Sequence, residues 1–192
     1  MAATPSTMLP LGTKLPAFRL VDAQSGQPVS SADASPTGAL VMFICNHCPF
    51  VIHVRPRLVA VANDAVARGL SVYAVNSNSA RTHPQDGPEH MKRLATEEQW
   101  RFPFLYDEAQ DVAKQFQAAC TPDFYLFDGQ HRLVYRGQFD DSRPSNGVPV
   151  TGADLQAALD AVLAGRPAPE KQKPSIGCNI KWHPGNAPPY FG

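Results

Sequence analysis

Six consecutive positions, Ala39-Leu40-Val41-Met42-Phe43-Ile44, carry no polar side chain, and Cys45-Asn46-His47-Cys48 follows at once. A strand that is apolar at every position must be buried on both faces, as at the centre of a parallel sheet covered by helices. A short buried helix is the alternative, but Gly38 before the run and Asn46 after it suit a strand. Val51, Val54, Leu58, Ala62 and Ala65 then recur at spacings of three and four, the stripe of a helix with one buried face. Asn46 is the expected N-cap, with Pro49 in the first turn, where a missing N–H costs nothing. Pro56 is expected to kink this helix and Gly69 to stop it in the left-handed conformation. Leu70-Ser71-Val72-Tyr73-Ala74-Val75 reads as a second buried strand. Residues 39–76 are therefore a βαβ unit, with a right-handed crossover expected.

The rest of the chain is arranged around this unit. Ala17 to Asp22, followed by the turn-rich Ala23 to Gln27, predicts a peripheral N-terminal hairpin. Ser77 to Pro88 is read as a polar loop and Glu89 to Trp100 as a helix. Phe102 to Tyr106 is a short strand in which Pro103 allows only an edge or a strand start. Asp111 to Ala118 is a short helix. Asp123 to Phe127 and Arg132 to Arg136 form a hairpin across the turn at residues 128–131. A last helix is expected from Thr151, with Asp154 completing a capping box, to Gly165. The tail from Arg166 to Gly192 holds 6 of the 19 prolines and has no periodicity. The expected division is a domain over residues 11–165 with the tail 166–192 packed on it. The order βαβ, α, β-hairpin, α is α/β and matches the thioredoxin fold: a central mixed sheet flanked by helices.

Composition excludes several function classes. Lys plus Arg (17) equals Asp plus Glu (17), so no net field gathers phosphates, and neither nucleic acid nor an anionic membrane is expected as a partner. Hydrophobic residues at 43% exclude a disordered chain. No apolar run is long enough to span a membrane. Met1 to Leu20 lacks the apolar core of a secretory signal, so a cytoplasmic setting is expected. Four cysteines are too few for a secreted disulfide scaffold.

The chemistry concentrates at Cys45-Asn46-His47-Cys48. Two cysteines two residues apart can close a small disulfide, and a strand-to-helix junction puts them at the carboxyl end of a sheet strand, where α/β sites lie. A thiolate at a helix N-terminus is stabilised by free N–H groups, and a protonated neighbour such as His47 adds to that. Cys45, expected to be the more exposed, is assigned as the attacking thiol and Cys48 as the resolving thiol. In isolation the same spacing also serves metal binding or structure. His47 could equally be an idle surface residue. Cys120-Thr121-Pro122 stands directly before a strand. In a thioredoxin fold that proline is cis and faces the cysteine pair; a trans turn proline is the plainer reading. Asn76, Asn78, Asp140 and Asp141 fall in loops near strand ends and are rim candidates, although loop formation explains them too.

These segments together resemble the peroxiredoxin-like group of the thioredoxin superfamily, in the alkyl hydroperoxide reductase and thiol-specific antioxidant (redoxin) class. The resemblance rests on CNHCPFV (45–51), AVNSN (74–78), FPFLYDEAQDVAKQF (102–116), CTPDFYLFD (120–128), LVYRGQFDDSRPSNG (133–147) and PSIGCNIKW (174–182). It implies a thioredoxin-type fold with redox-active thiols and supplies no substrate. Typical peroxiredoxins carry a threonine three residues before the peroxidatic cysteine and a nearby arginine; here Met42 and about Pro122 stand at those positions. Thioredoxins carry a buried aspartate where Ala39 stands.

The expected activity is thiol-disulfide exchange by Cys45 and Cys48 without a bound cofactor or metal. Its partners would be a protein or small-molecule disulfide and an unidentified thiol donor. A thiol-dependent peroxidase with Cys45 peroxidatic is the alternative. A zinc module using Cys45 and Cys48 with Cys120, Cys178 or both ranks last, since no second Cys-x-x-Cys is present. Cys178 is either a third redox thiol or a buried inert one. Trp182 is expected to anchor the tail by packing; the resemblance through PSIGCNIKW implies that the tail passes near the site, and packing on the far face is the plainer alternative.

Overall fold

The computed structural model describes residues 3–191. In chain order the elements are β1 (Ala3–Pro5), β2 (Arg19–Asp22), β3 (Pro28–Ser30), β4 (Ala39–Phe43), α1 (Pro49–Ala67), β5 (Ser71–Asn76), α2 (Pro88–Glu97), β6 (Phe104–Tyr106), α3 (Asp111–Gln115), β7 (Cys120–Thr121), β8 (Asp123–Phe127), β9 (Leu133–Gly137), α4 (Ala153–Leu163) and β10 (Ile176–Asn179). Seven strands form one sheet in the order β3-β2-β6-β5-β4-β8-β9. β4, β5 and β6 run parallel, while the other pairings are antiparallel.

Every residue of β4 is buried, because each face meets its own core. Successive side chains alternate across a strand. Leu40, Met42 and Ile44 therefore join Val51, Val54 and Leu58 of α1 and Leu155 and Leu159 of α4. Ala39, Val41 and Phe43 meet Val112 and Phe116, together with Ile180 and Trp182 of the tail. Each fully buried large side chain contributes about 1.5–3 kcal/mol, so this double burial fixes the register of the central strand.

Two local expectations are corrected. α1 starts after Cys48, not after Asn46: Cys48 is the N-cap in extended conformation and Pro49 is the first helical residue. A residue before proline is pushed out of the helical region, while proline itself favours the first helical position. α4 likewise has Gly152 as N-cap, with φ 72°. The Asp140 carboxylate accepts from Thr151 N and Gly152 N at 2.7 and 2.6 Å, taking the place expected of a capping box. The N-terminal hairpin is peripheral as expected, and it joins the sheet at its edge through β2 pairing with β6.

A second sheet of three strands, β1-β10-β7, was not visible in the sequence. The tail supplies its middle strand. Cys178 stands opposite Thr121 in β7 and opposite Ala3 in β1, so the two ends of the chain meet beside the Cys45–Cys48 segment.

Candidate active site

Cys45 follows the last apolar residue of the β4 run, and Cys48 caps α1. Both sulfurs are enclosed, with Cys45 1% and Cys48 0% exposed. The reason is the segment Cys120–Pro122. The Thr121–Pro122 peptide bond is cis, as the fold resemblance implied. The Thr121 hydroxyl lies 3.6 Å from Cys45 Sγ, and Cys48 Sγ as a thiol donates to the Thr121 carbonyl at 3.2 Å. All four cysteines are unpaired in the structure.

The sulfurs of Cys45, Cys48 and Cys178 make a row with Cys48 in the middle. The flanking thiols donate to it, Cys178 more strongly than Cys45, and hold Cys48 well below the ordinary thiol range, down to about 2. Burial pushes the Cys45 thiol up, and the Asp86 charge acts in the same direction. Both thiols thus move against the expectation of an acidified Cys45, Cys45 upward and Cys48 downward. An S–H donor stabilises a neighbouring thiolate only by keeping its own proton. Cys120 does not join the row. Its thiol is raised by burial and by Asp123, and its hydrogen bond goes to the Pro122 carbonyl.

His47 sits beside Cys45, with a ring nitrogen within 4.8 Å of its sulfur, but its hydrogen bond goes to Asp86. Its Nδ1 lies 2.6 Å from Asp86 Oδ2, and its ring stacks on His83 with centroids 5.0 Å apart. Asp86, fully buried in a short 3-10 turn at Pro84–Asp86, also accepts from Asn46 N at 2.9 Å and Asn78 Nδ2 at 2.8 Å. It fixes the Cys-x-x-Cys loop, and sequence reasoning missed it. A carboxylate in a polar loop is ordinarily solvated; the usable signal was a histidine between two cysteines that needs an orienting partner.

Of the four rim candidates, Asn76 and Asn78 are brought to the site. Asn76 Nδ2 donates to the Asp86 carbonyl, and Asn78 links Asp86 to the tail by accepting from Lys181 N at 2.8 Å. Asp140 and Asp141 are not: Asp140 serves the start of α4, and Asp141 makes an exposed ion pair with Lys173.

Among the described residues, the side chains gathered closely enough to hold a metal ion are Cys45, His47 and Asp86, with ligand atoms within 4.8 Å of one another. They differ from the all-cysteine set weighed from the sequence. The Asp86 oxygens are already taken by backbone and side-chain donors and by the imidazole, so this carboxylate has no unmet need that a cation would fill. Met42, at the position where a peroxidatic site carries threonine, is fully buried among apolar side chains. A shallow cavity of about 280 Å³ lined by Asn46, His47, Ile52 and Arg93 opens beside the loop; larger hollows lie by the β2–β3 hairpin, away from the sulfurs.

The AhpC/TSA family model matches residues 11–136. An uncharacterized conserved protein from Geobacillus kaustophilus is 56% identical, with 96% of this chain and 98% of that chain covered and a TM-score of 0.94. A hypothetical protein from Sinorhizobium meliloti 1021 is 49% identical over 95% of this chain and 100% of that one, with a TM-score of 0.91. The thioredoxin domain of a thiol-disulfide oxidoreductase from Bacteroides vulgatus shares the fold at 22% identity, covering 69% of this chain and 91% of that chain, with a TM-score of 0.58. No curated protein matches the chain.

Proposed function

The chain belongs to the AhpC/TSA family and has a thioredoxin-like fold, and from that premise we propose that it is a thiol-disulfide oxidoreductase whose working pair is Cys45 and Cys48. The observation that carries this reading is the placement of both sulfurs against Thr121 and cis-Pro122, at the start of α1, within hydrogen-bond reach of each other. Cys45 attacks a substrate disulfide and forms a mixed disulfide; the substrate thiolate that is expelled takes up the Cys45 proton. The Cys48 thiolate then attacks Cys45 Sγ. The Cys45–Cys48 bond forms, and the second substrate sulfur leaves with its electron pair. The dithiol is oxidised by two electrons and the substrate reduced by two.

Cys45 is assigned the attack because it stands at an end of the row, in the loop beside His47, whereas Cys48 is enclosed between two sulfurs. The substrate class is a disulfide between two cysteine thiols, and a thiol donor returns the pair to the reduced state. Met42 provides no hydroxyl to hold a peroxide, so the peroxidase reading gains no support from the site.

Serine variants test the pair. Cys45→Ser is expected to abolish dithiol-dependent reduction of a model protein disulfide without trapping a partner. Cys48→Ser is expected to accumulate the mixed disulfide at Cys45, visible on non-reducing gels. Two variants that behave alike, with neither trapping a partner, would sink the assignment.

A further inference from the structure

Cys178 is outside the Cys-x-x-Cys motif and 130 residues further along the chain than Cys48, yet the fold delivers it to the same place. β10 is seated on β7 with Cys178 opposite Thr121, the residue that both Cys45 and Cys48 touch. The seating is tight. A Cβ on Gly177 would fall well inside contact distance of the Thr121 carbonyl oxygen, so this strand needs a glycine there. Cys178 is 2% exposed and belongs to the same apolar cluster as Cys45 and Cys48. Its sulfur faces the Phe50 N–H, in the first turn of α1, where free backbone N–H groups stabilise a thiolate. The Lys181 ammonium acts on it in the same direction.

We propose that Cys178 is a third redox thiol, which takes over the disulfide from Cys45 by attacking Cys48. The proposal rests on the dithiol reading above and extends it. In the oxidised protein, Cys178 Sγ attacks Cys48 Sγ. The Cys48–Cys178 bond forms as the Cys45–Cys48 bond breaks. The electron pair of the broken bond leaves on Cys45 Sγ, which takes up the proton given up by Cys178. No electrons enter or leave the protein, and the result is a free Cys45 thiol with the oxidising equivalent held between helix α1 and the tail. The order of events is set by the row. While Cys48 is a thiolate, Cys178 donates to it and keeps its proton, so its own thiol is pushed up. Once Cys48 is bound to Cys45, that acceptor charge is gone. Burial still holds the Cys178 thiol up, and Lys181 and the Phe50 N–H remain to favour its thiolate.

Disulfide mapping of the full chain decides the matter. Protein oxidised with one equivalent of diamide is alkylated, digested with trypsin and analysed by mass spectrometry. No Lys or Arg lies between Cys45 and Cys48, so their disulfide stays within one peptide, whereas Cys48–Cys178 joins two. The wild type is expected to give both linkages, with loss of alkylation at Cys178. Cys45→Ser, which leaves Cys178 and its strand intact, is expected to give Cys48–Cys178 alone. Cys178→Ser is expected to give Cys45–Cys48 alone. If Cys45–Cys48 forms but Cys178 is alkylated as fully as in untreated protein, in both the wild type and Cys45→Ser, the third thiol is refuted and the pair stands. If no linkage to Cys45 forms in the wild type, the pair itself is refuted, and the relay with it.

Discussion

Asp86 accepts hydrogen bonds from Asn46 N, His47 N, His47 Nδ1 and Asn78 Nδ2 while fully buried. Truncating it leaves these donors facing an apolar gap, and each orphaned buried donor costs about 1–3 kcal/mol. Asp86→Ala is therefore expected to lower unfolding free energy by about 3 kcal/mol or more in urea titration. His47→Ala, which removes one donor and keeps the carboxylate's other partners, is expected to cost less. Equal losses would show that the imidazole, not the carboxylate, organises the loop. The same comparison explains what the sequence withheld. The cysteine pair was legible because its spacing and its place after a buried strand are local facts. Asp86 was not, because its partners lie at sequence distances of 8 to 40 residues. The direction of the thiol shifts was illegible for a related reason. Cys45 and Cys48 are neighbours in sequence, but Cys178, the stronger donor to Cys48, comes from the tail.

Among the elements, β4, α1 and β5 were readable because both faces of a strand and one face of a helix leave period-two and period-3.6 traces in side-chain polarity. β1, β7 and β10 have three, two and four residues and leave no such trace. Their sheet is held by pairings between the two chain ends and a strand near residue 120, which no local pattern encodes. The most specific local mark was the glycine before Cys178, whose role appears only once Thr121 is placed beside it. Gly177→Ala would press a methyl group into that carbonyl, and overpacking of this kind costs typically 1–3 kcal/mol or displaces the backbone. The expected outcome is that β10 moves off β7, so Cys178 becomes rapidly alkylated by a bulky maleimide while the rest of the protein stays folded. Unchanged protection of Cys178 in a folded Gly177→Ala variant would show that the strand seats without that close approach.

At the scale of the whole molecule, both ends of the chain close over a single carboxyl group. Asp123 is fully buried; Tyr125 donates to it at 2.8 Å, and Ser6 and Ser175, one from each end of the chain, also face it. Burial pushes its carboxyl up to about 7 despite these hydrogen bonds. In the unfolded chain an aspartate titrates near about 3.9. Between those two values the folded protein holds a proton that the unfolded chain has lost. The contribution of Asp123 to stability is thus fully present below about pH 4 and is lost as pH rises through about 7. At about 1.4 kcal/mol per pH unit, the loss over that window is of the order of a few kcal/mol. Cys48, whose thiol is held low, has the opposite slope as pH rises towards the ordinary thiol range, so the stability of the wild type alone mixes the two. The difference between wild type and Asp123→Asn isolates the carboxyl, because asparagine keeps an acceptor for Tyr125 and does not titrate. Urea titrations from pH 4 to 8 are expected to show Asp123→Asn gaining on the wild type up to about pH 7 and level above it. A constant difference across that range would mean that the chain ends do not shield Asp123 from water, and that the three-stranded sheet is open in solution.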